Sequence, residues 1–329
     1  MKEFGNKLII LLFTAFFAAC GQGVVIEVAN PSGPDRDGEL AEVSLRELSG
    51  LPSGGFRLLD ASGEEVAYQL TSDSLLVFPV RVRAGVTAVY RVVKGTPSRV
   101  DTVATGSFRP DRMGDIIWEN DRCGWRTYGP PTRAVGQAAY GYDVFTKSIS
   151  RPVMAARFDR DRDAQPEIRR LRAAGRNAAA DSLARSVSYH VDHGDGMDVY
   201  PVGGSLGCGT AALLEEGRIV FPWTWASYEF LDNGPLRFRM KLTMEPFEYK
   251  GRMVTETRVV TCDAGSWLNR AEISYDGLDE APLSVGIVVH ATHPDAWRAG
   301  GGLHRLCGTG RSRSRVKRGD LLRGRPVPS

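Results

Sequence analysis

The feature that most constrains this chain is the recurrence, from Val24 onward, of short β-rich runs between turn signals. VVIEVAN, LAEVSL, FRLLD, VAYQL, SLLVFPVRV and VTAVYRVV are parted by stretches such as NPSGPDRDG, LPSGG and ASGEE. A spacing of about ten residues allows one strand per run and leaves no room for crossover helices, so it predicts antiparallel hairpins stacked as a sandwich. The texture returns in RIVFPWTWASYEFL, LRFRMKLTM, MVTETRVVTC, NRAEISYDG and LSVGIVVHAT, with Asn233-Gly234 and Asp276-Gly277 as tight-turn signals. Residues 100–108 read as a connection, setting a boundary near residue 105 between an N-terminal β-sandwich region (24–105) and a main β-sandwich domain (106–300). The expected fold is therefore all-β, mainly antiparallel. No fixed-period repeat is visible, which disfavours propellers and solenoids.

One stretch breaks the pattern. Residues 163–187, DAQPEIRRLRAAGRNAAADSLARSV, place Ala, Leu, Arg and Glu at helical spacing, with Pro166 near a helix start and Gly175 in the middle. They predict a helical pair inserted in the β domain.

The N-terminus, MKEFGNKLIILLFTAFFAAC, sets Lys2 and Lys7 ahead of an apolar run over 8–19 that is shorter than a membrane span of about 20 residues. Ala18-Ala19-Cys20 has the small-small-Cys order of a lipoprotein signal, so residues 1–20 are expected to be a signal peptide with Cys20 as the lipidation site. A plain secretory signal is the alternative. The expected location is exported and membrane-anchored, periplasmic or outer-membrane, held to the lipid bilayer by an acyl anchor.

Beyond Cys20 the cysteines are Cys123, Cys208, Cys262 and Cys307, without a CxxC or a tight Cys/His pair. A single Cys208–Cys262 bridge and buried free thiols both remain open. Residues 301–329 hold eight Lys/Arg against Asp320 alone, which leaves 34 basic and 38 acidic residues elsewhere. The body is thus mildly acidic, and no nucleic-acid partner is expected. Strand alternation and helical stripe are missing from this basic tail, which reads either as an out-of-frame translation or as a disordered or membrane-surface segment.

The densest polar cluster spans residues 190–198. His190, Asp192, His193, Asp195 and Asp198 crowd around Gly194 and Gly196, which let a loop aim several side chains into one space. His193 is the preferred acid/base residue, with His190 and Asp195 beside it. Calcium held by Asp192, Asp195 and Asp198 is an alternative, although the order of residues matches neither an EF-hand nor a zinc motif. A plain polar turn is the third reading. Around Trp118, Glu119 or Asp121 would supply the second carboxylate that most glycoside hydrolysis requires. Arg126, Tyr128, Tyr142, Lys147 and Arg151 are candidates for substrate binding, the cations as uronate clamps. The same alternation also fits a half-buried strand. Trp223 and Trp225, at strand spacing and so on one face, read as a sugar-stacking platform or, more simply, as core. His290 and His293 lie at a later strand end. GGSLGCGTAAL, from Gly203, lacks the lysine of a phosphate loop.

Three stretches together carry a resemblance: WENDRCGWRTYGP with YDVFTKSISRPVM, SYHVDHGDGMDVYPVGGSLGCGTAAL, and CDAGSWLNRAEI. Over roughly residues 25–300 the chain resembles the bacterial domain-of-unknown-function family 4861, seen as lipoproteins and secreted proteins of polysaccharide-utilising bacteria. The resemblance implies a carbohydrate context and a sandwich like that of sugar mutarotases, and it supplies no catalytic residue. After Gly302 the chain departs from what the family leads one to expect. The resulting expectation is a glycoside hydrolase or polysaccharide lyase acting on oligosaccharides that contain uronic acid. A non-catalytic carbohydrate-binding protein and a sugar epimerase or mutarotase are the alternatives.

Overall fold

A computed structural model describes residues 9–12, 24–31, 33–198 and 200–288. Cys20, His290, His293, Cys307 and the basic tail lie outside the described residues. The N-terminal unit contains β1 (Ile9–Leu12), β2 (Val25–Asn30), β3 (Arg36–Ser44), β4 (Phe56–Leu59), β5 (Glu65–Val66), β6 (Gln69–Leu70), β7 (Leu75–Val82) and β8 (Val86–Lys94). Two antiparallel sheets, ordered β1-β2-β8-β4-β5 and β3-β7-β6, enclose one core. Alternation builds it: Ile26, Val28, Leu58, Leu76, Phe78, Val80 and Val92 all point inward and are fully buried. β1, drawn from the apolar run read as a leader, pairs with the edge of β2. An open sheet edge is a template for pairing with a further extended segment.

The main unit follows with β9 (Thr105–Arg109), β10 (Asp115–Glu119), β11 (Cys123–Thr127), α1 (Pro130–Ala134), β12 (Asp143–Lys147), α2 (Met154–Ala173), α3 (Asn177–Val187) and β13 (Gly196–Asp198). It continues with β14 (Cys208–Glu215), β15 (Arg218–Val220), β16 (Trp225–Asn233), β17 (Arg237–Met244), β18 (Phe247–Tyr249), β19 (Arg252–Asp263), β20 (Asn269–Asp276) and β21 (Leu283–Ile287). The sheet β13-β12-β11-β10-β9 packs one face on the sheet β16-β17-β19, to which β18 and β20 also pair through β19. Trp118, Trp125, Phe238, Met240, Leu242, Val260 and Cys262 fill the space between them. The all-β sandwich expectation holds.

The opposite face of the first sheet is covered as well. Ile117 and Phe145 meet Met154 and Phe158 of α2. The Glu/Arg alternation of β10 and β11 is therefore not the wet face of a half-buried strand: every residue of both strands is buried. Gly124 makes the close approach of α2 feasible, because a Cβ there would run into the Met154 sulfur.

Three local expectations are corrected. The helical pair starts at Met154, not at 163, and Pro166 sits inside α2. The helix begins early because its first amides are capped from a distant strand, as described below. It ends where Gly175 turns to φ +72°, with Arg176 N–H donating to Leu171 O and Gly175 N–H to Arg172 O, the paired bonds of a glycine stop signal. Residues 105–108 are not connection but belong to β9, the sheet's edge strand, so the boundary lies in the residues just before it. Asn233-Gly234 does join the paired strands β16 and β17, whereas Asp276-Gly277 ends β20 and leads to β21, which pairs with β14 instead.

The two units are joined by polar contacts. Gln69 Oε1 accepts from Leu236 N–H and Arg237 N–H, both at 2.8 Å, and its Nε2 donates to Arg237 O at 3.1 Å. The buried Arg237 guanidinium bridges Asp263 and, from the first unit, Glu42 at 2.6 Å. Cys123, Cys208 and Cys262 are free thiols, so the Cys208–Cys262 bridge is not formed. Cys262 is fully buried, and burial pushes the Cys123 thiol up to about 11.

Candidate functional site

Much of the chemistry-bearing sequence turns out to hold the sandwich together. At the β10–β11 turn, Asn120 Oδ1 accepts the N–H groups of Arg122 and Cys123, while its Nδ2 donates to Asp263 O at 2.6 Å and Ser266 O at 2.7 Å. Asp121 Oδ1 accepts from Gly265 N–H at 2.6 Å, and Trp118 Nε1 donates to Asn269 Oδ1 at 3.1 Å. The WENDR and CDAGSWLN stretches are thus two halves of one lock between the facing sheets. Asp121 is spent on it.

Glu119 and Lys147 are occupied too. The Glu119 carboxylate accepts Val153 N–H and Met154 N–H at 2.8–3.0 Å, capping α2, and pairs with Lys147 Nζ at 2.7 Å. Lys147 also donates to Asn120 O at 2.6 Å, and its side chain is completely buried. A charge pair this deep, with its carboxylate on two helix amides, holds its neighbours in place. A recess of about 250 Å³ lies alongside, lined by Thr105, Gly106, Ser107, Trp118, Glu119 and Pro152. Arg151 is exposed beside it.

The 190–198 loop disperses its acids. Asp192 Oδ1 accepts from Gly194 N–H and Gly196 N–H, a polar turn that lowers its pKa. Asp195 pairs with the buried Arg157 of α2, and Asp198 turns into the protein. The calcium arrangement is therefore not assembled, and no group of three or more His, Cys, Asp or Glu able to hold a metal occurs among the described residues. His193 is exposed at the loop, its Nε2 3.2 Å from Ser188 O.

A different constellation assembles at one rim of the first sheet, where β10 starts, β11 ends, β12 starts and β13 ends. Arg126 is directly opposite Asp143 in the β11–β12 register, with Asp115 and Asp198 on diagonal positions of the same face. Its Nη2 binds Asp143 and lies 3.0 Å from Asp198 Oδ2, while its Nε is 3.9 Å from Asp115 Oδ2. Tyr128 O–H donates to Asp143 Oδ2 at 3.2 Å. Arg112 closes the outer side, its guanidinium 4.7 Å from both the Phe158 and Tyr189 rings and its Nη1 donating to Tyr189 OH at 2.6 Å. Arg126 is thus a buried ion-pair centre, not a free uronate clamp.

Three buried carboxylates face Arg126, with Arg112 as the second cation, so full ionisation leaves a buried negative excess. Burial pushes Asp115 up to about 6 against the pull of Arg126 and Arg112, and it raises Asp198 as well. The cluster therefore holds one carboxyl, Asp115, that takes up a proton near pH 6. It reaches solvent at His190, whose side chain is 57% exposed, with Nδ1 2.8 Å from Asp198 O and 3.9 Å from Asp198 Oδ1. A carbonyl oxygen can only accept, so the neutral ring carries its proton on Nδ1 and offers Nε2 as a base.

The aromatic candidates separate. Trp225 is buried core, and Tyr142 packs edge-on to Trp118 at 5.2 Å inside the same core. Trp223 precedes β16 and is 37% exposed, so the two tryptophans do not form one platform. Instead Trp223 meets Tyr140 at 5.6 Å, and Tyr140 stacks on Phe221 at 4.5 Å.

Sequence reading missed Asp115 and Arg112 altogether and gave no role to Asp143 by itself. Their only signal is the strand register, which puts residues tens of positions apart on one face. Arg133, whose guanidinium lies 4.6 Å from the Trp223 ring centroid, was also missed, because α1 and the segment before β16 are about 90 positions apart in the chain.

Fold and site together define an all-β sandwich protein with a helix-covered sheet and a buried acidic cluster at its rim. Residues 28–304 match the family model described as Domain of unknown function (DUF4861), and the chain belongs to that family. A protein of Formosa agariphila named Uncharacterized protein P7 is 27% identical over 190 residues, covering 56% of this chain and 42% of that protein. The matched region thus spans less than half the length of that relative. No solved structure matches the chain.

Proposed function

We propose that this protein is an exported, lipid-anchored enzyme acting on oligosaccharides that contain uronic acid, with proton transfer at the mouth of the Asp115–Asp143–Asp198 cluster. The supporting observation is His190: its Nδ1 is tied to Asp198 O, its Nε2 has no partner among the described residues, and it stands exposed over a reservoir of buried carboxyls. That is a base oriented by a neighbour and backed by a cluster in which Asp115 exchanges its proton near pH 6. Tyr128, its phenol kept protonated by burial, is the nearby donor. Asp115, Asp143 and Asp198 share one guanidinium and do not face each other across a groove, which favours β-elimination over hydrolysis by paired carboxylates. In elimination the base removes the proton beside the uronate carboxylate, the glycosidic C–O bond breaks, the departing oxygen gains a proton, and no water is added.

The test is incubation with neutral and uronic oligosaccharides, followed by mass spectrometry and absorbance in the unsaturated-uronide band. Cleavage with new absorbance supports elimination. A water-sized mass gain on cleavage indicates a hydrolase and refutes this chemistry.

One observation favours a second reading, a non-catalytic carbohydrate-binding protein. The space along Arg126, Asp143, Phe145, Phe158 and Asp198 is too narrow for a water molecule, so ligand would have to remain at the surface. Saturable binding without product, unchanged by His190→Ala, would move the assignment there.

A further inference from the structure

We infer that Arg133, held by Trp223 and flanked by Tyr140 and Phe221, is the subsite that reads the carboxylate of an acidic pyranose. The inference rests on the saccharide reading above and places its acid recognition at residues to which the sequence gave no such role.

Arg133 is a solvent-exposed cation with no ion pair and no side-chain hydrogen bond among the described residues. The comparable stacked pair, Arg122 on Trp267 at 5.9 Å, differs because Asp121 lies 3.4 Å from Arg122 and offsets its charge. Arg126, Arg157, Arg237 and Arg258 are likewise matched by carboxylates. Arg133 keeps all its N–H donors free while the indole restrains its plane, the preorganisation that a two-point grip on a carboxylate requires. Beside it the Trp223, Tyr140 and Phe221 rings form a continuous aromatic surface, and an exposed tryptophan beside other rings offers an apolar plane to the C–H face of a sugar. An unpaired cation adjoining an apolar plane is complementary to a ring that carries an anion on one corner.

Placement supports the assignment. The connection that carries Arg133 and Tyr140 leaves the acidic cluster at Tyr128 and re-enters it at Asp143. The connection is thus anchored at both ends in the cluster that His190 borders through Asp198.

The experiment is calorimetric titration of the full protein with a uronic trisaccharide and with the same trisaccharide reduced to neutral alcohols, alongside product detection. Arg133→Gln should weaken binding of the acidic ligand by about tenfold to a hundredfold, the loss expected for a charge-assisted pair, while leaving the neutral ligand within about twofold. Trp223→Ala should weaken both, with circular dichroism confirming that the variant is folded. Equal binding of the acidic ligand by Arg133→Gln and the native protein overturns the subsite, as does failure of the native protein to prefer the acidic ligand. Arg133-dependent binding without any product leaves the subsite standing and removes the enzyme reading. Product formation unaffected by Arg133→Gln does the reverse.

Discussion

Replacing Asp115 by asparagine separates the cost of burying a charge from the gain of pairing it. The native carboxyl is raised from 3.8 to about 6, first by burial, and so binds protons more tightly folded than unfolded. A raised carboxyl stabilises the fold fully below its unfolded pKa and loses that contribution as pH rises through the folded pKa. The loss is about 3 kcal/mol by pH 8, from a shift near two units at 1.36 kcal/mol each. Near pH 5 it is about half of that. Asparagine cannot ionise and still accepts from Gly129 N–H, the bond Asp115 Oδ1 makes at 3.4 Å. The variant should therefore be more stable than the native protein by about 3 kcal/mol at pH 8, with the gap narrowing as pH falls. Urea unfolding at both pH values, with m compared, measures it. A variant less stable than native at pH 8 would refute the argument, because the ionised Asp115 would then gain more from Arg126 and Arg112 than burial costs it.

The other predictions follow from single contacts. His190→Ala should abolish turnover with an unchanged melting temperature, whereas His193→Ala should leave rates close to native; steady-state kinetics with thermal melts would show a reversed pattern if the loop tip carried the chemistry. Glu119→Gln leaves Lys147 charged and buried, so it should cost about 3–5 kcal/mol in urea unfolding, a loss of fold rather than of a catalytic acid. Gly124→Ala pushes a methyl group into Met154 and should destabilise by about 1–3 kcal/mol as α2 shifts, checked by calorimetric melting. A null result there would mean that the helix is loosely seated.

What the sequence revealed divides along the range of the interactions. Ile26 and Val28, or Phe78 and Val80, announce their strands because alternation is local, and the all-β class follows. The start of α2 was not legible, since its cap is Glu119, some 35 positions away, and no N-capping side chain stands at Val153. His190 and Asp198 stood out as part of the polar cluster over residues 190–198. That Asp198 joins Asp115 and Asp143 around Arg126 was not legible, because the grouping exists only once four strands have found their register. Glu119 and Lys147 misled for a related reason: a residue type that does chemistry in a cleft neutralises its partner when both faces of the sheet are covered.

The lock at the β10–β11 turn bears on how the chain is made. Asn120 and its partner Asp263 are 143 residues apart, so at about 5–20 residues per second the second half of the lock leaves the ribosome roughly 7–30 s after the first. Until then the Asn120 Nδ2 lacks its partners and the sheet that covers the Trp118–Trp125 face lacks β19. The nascent main unit spends that interval with its facing sheet incomplete and depends on whatever shields apolar surface during synthesis.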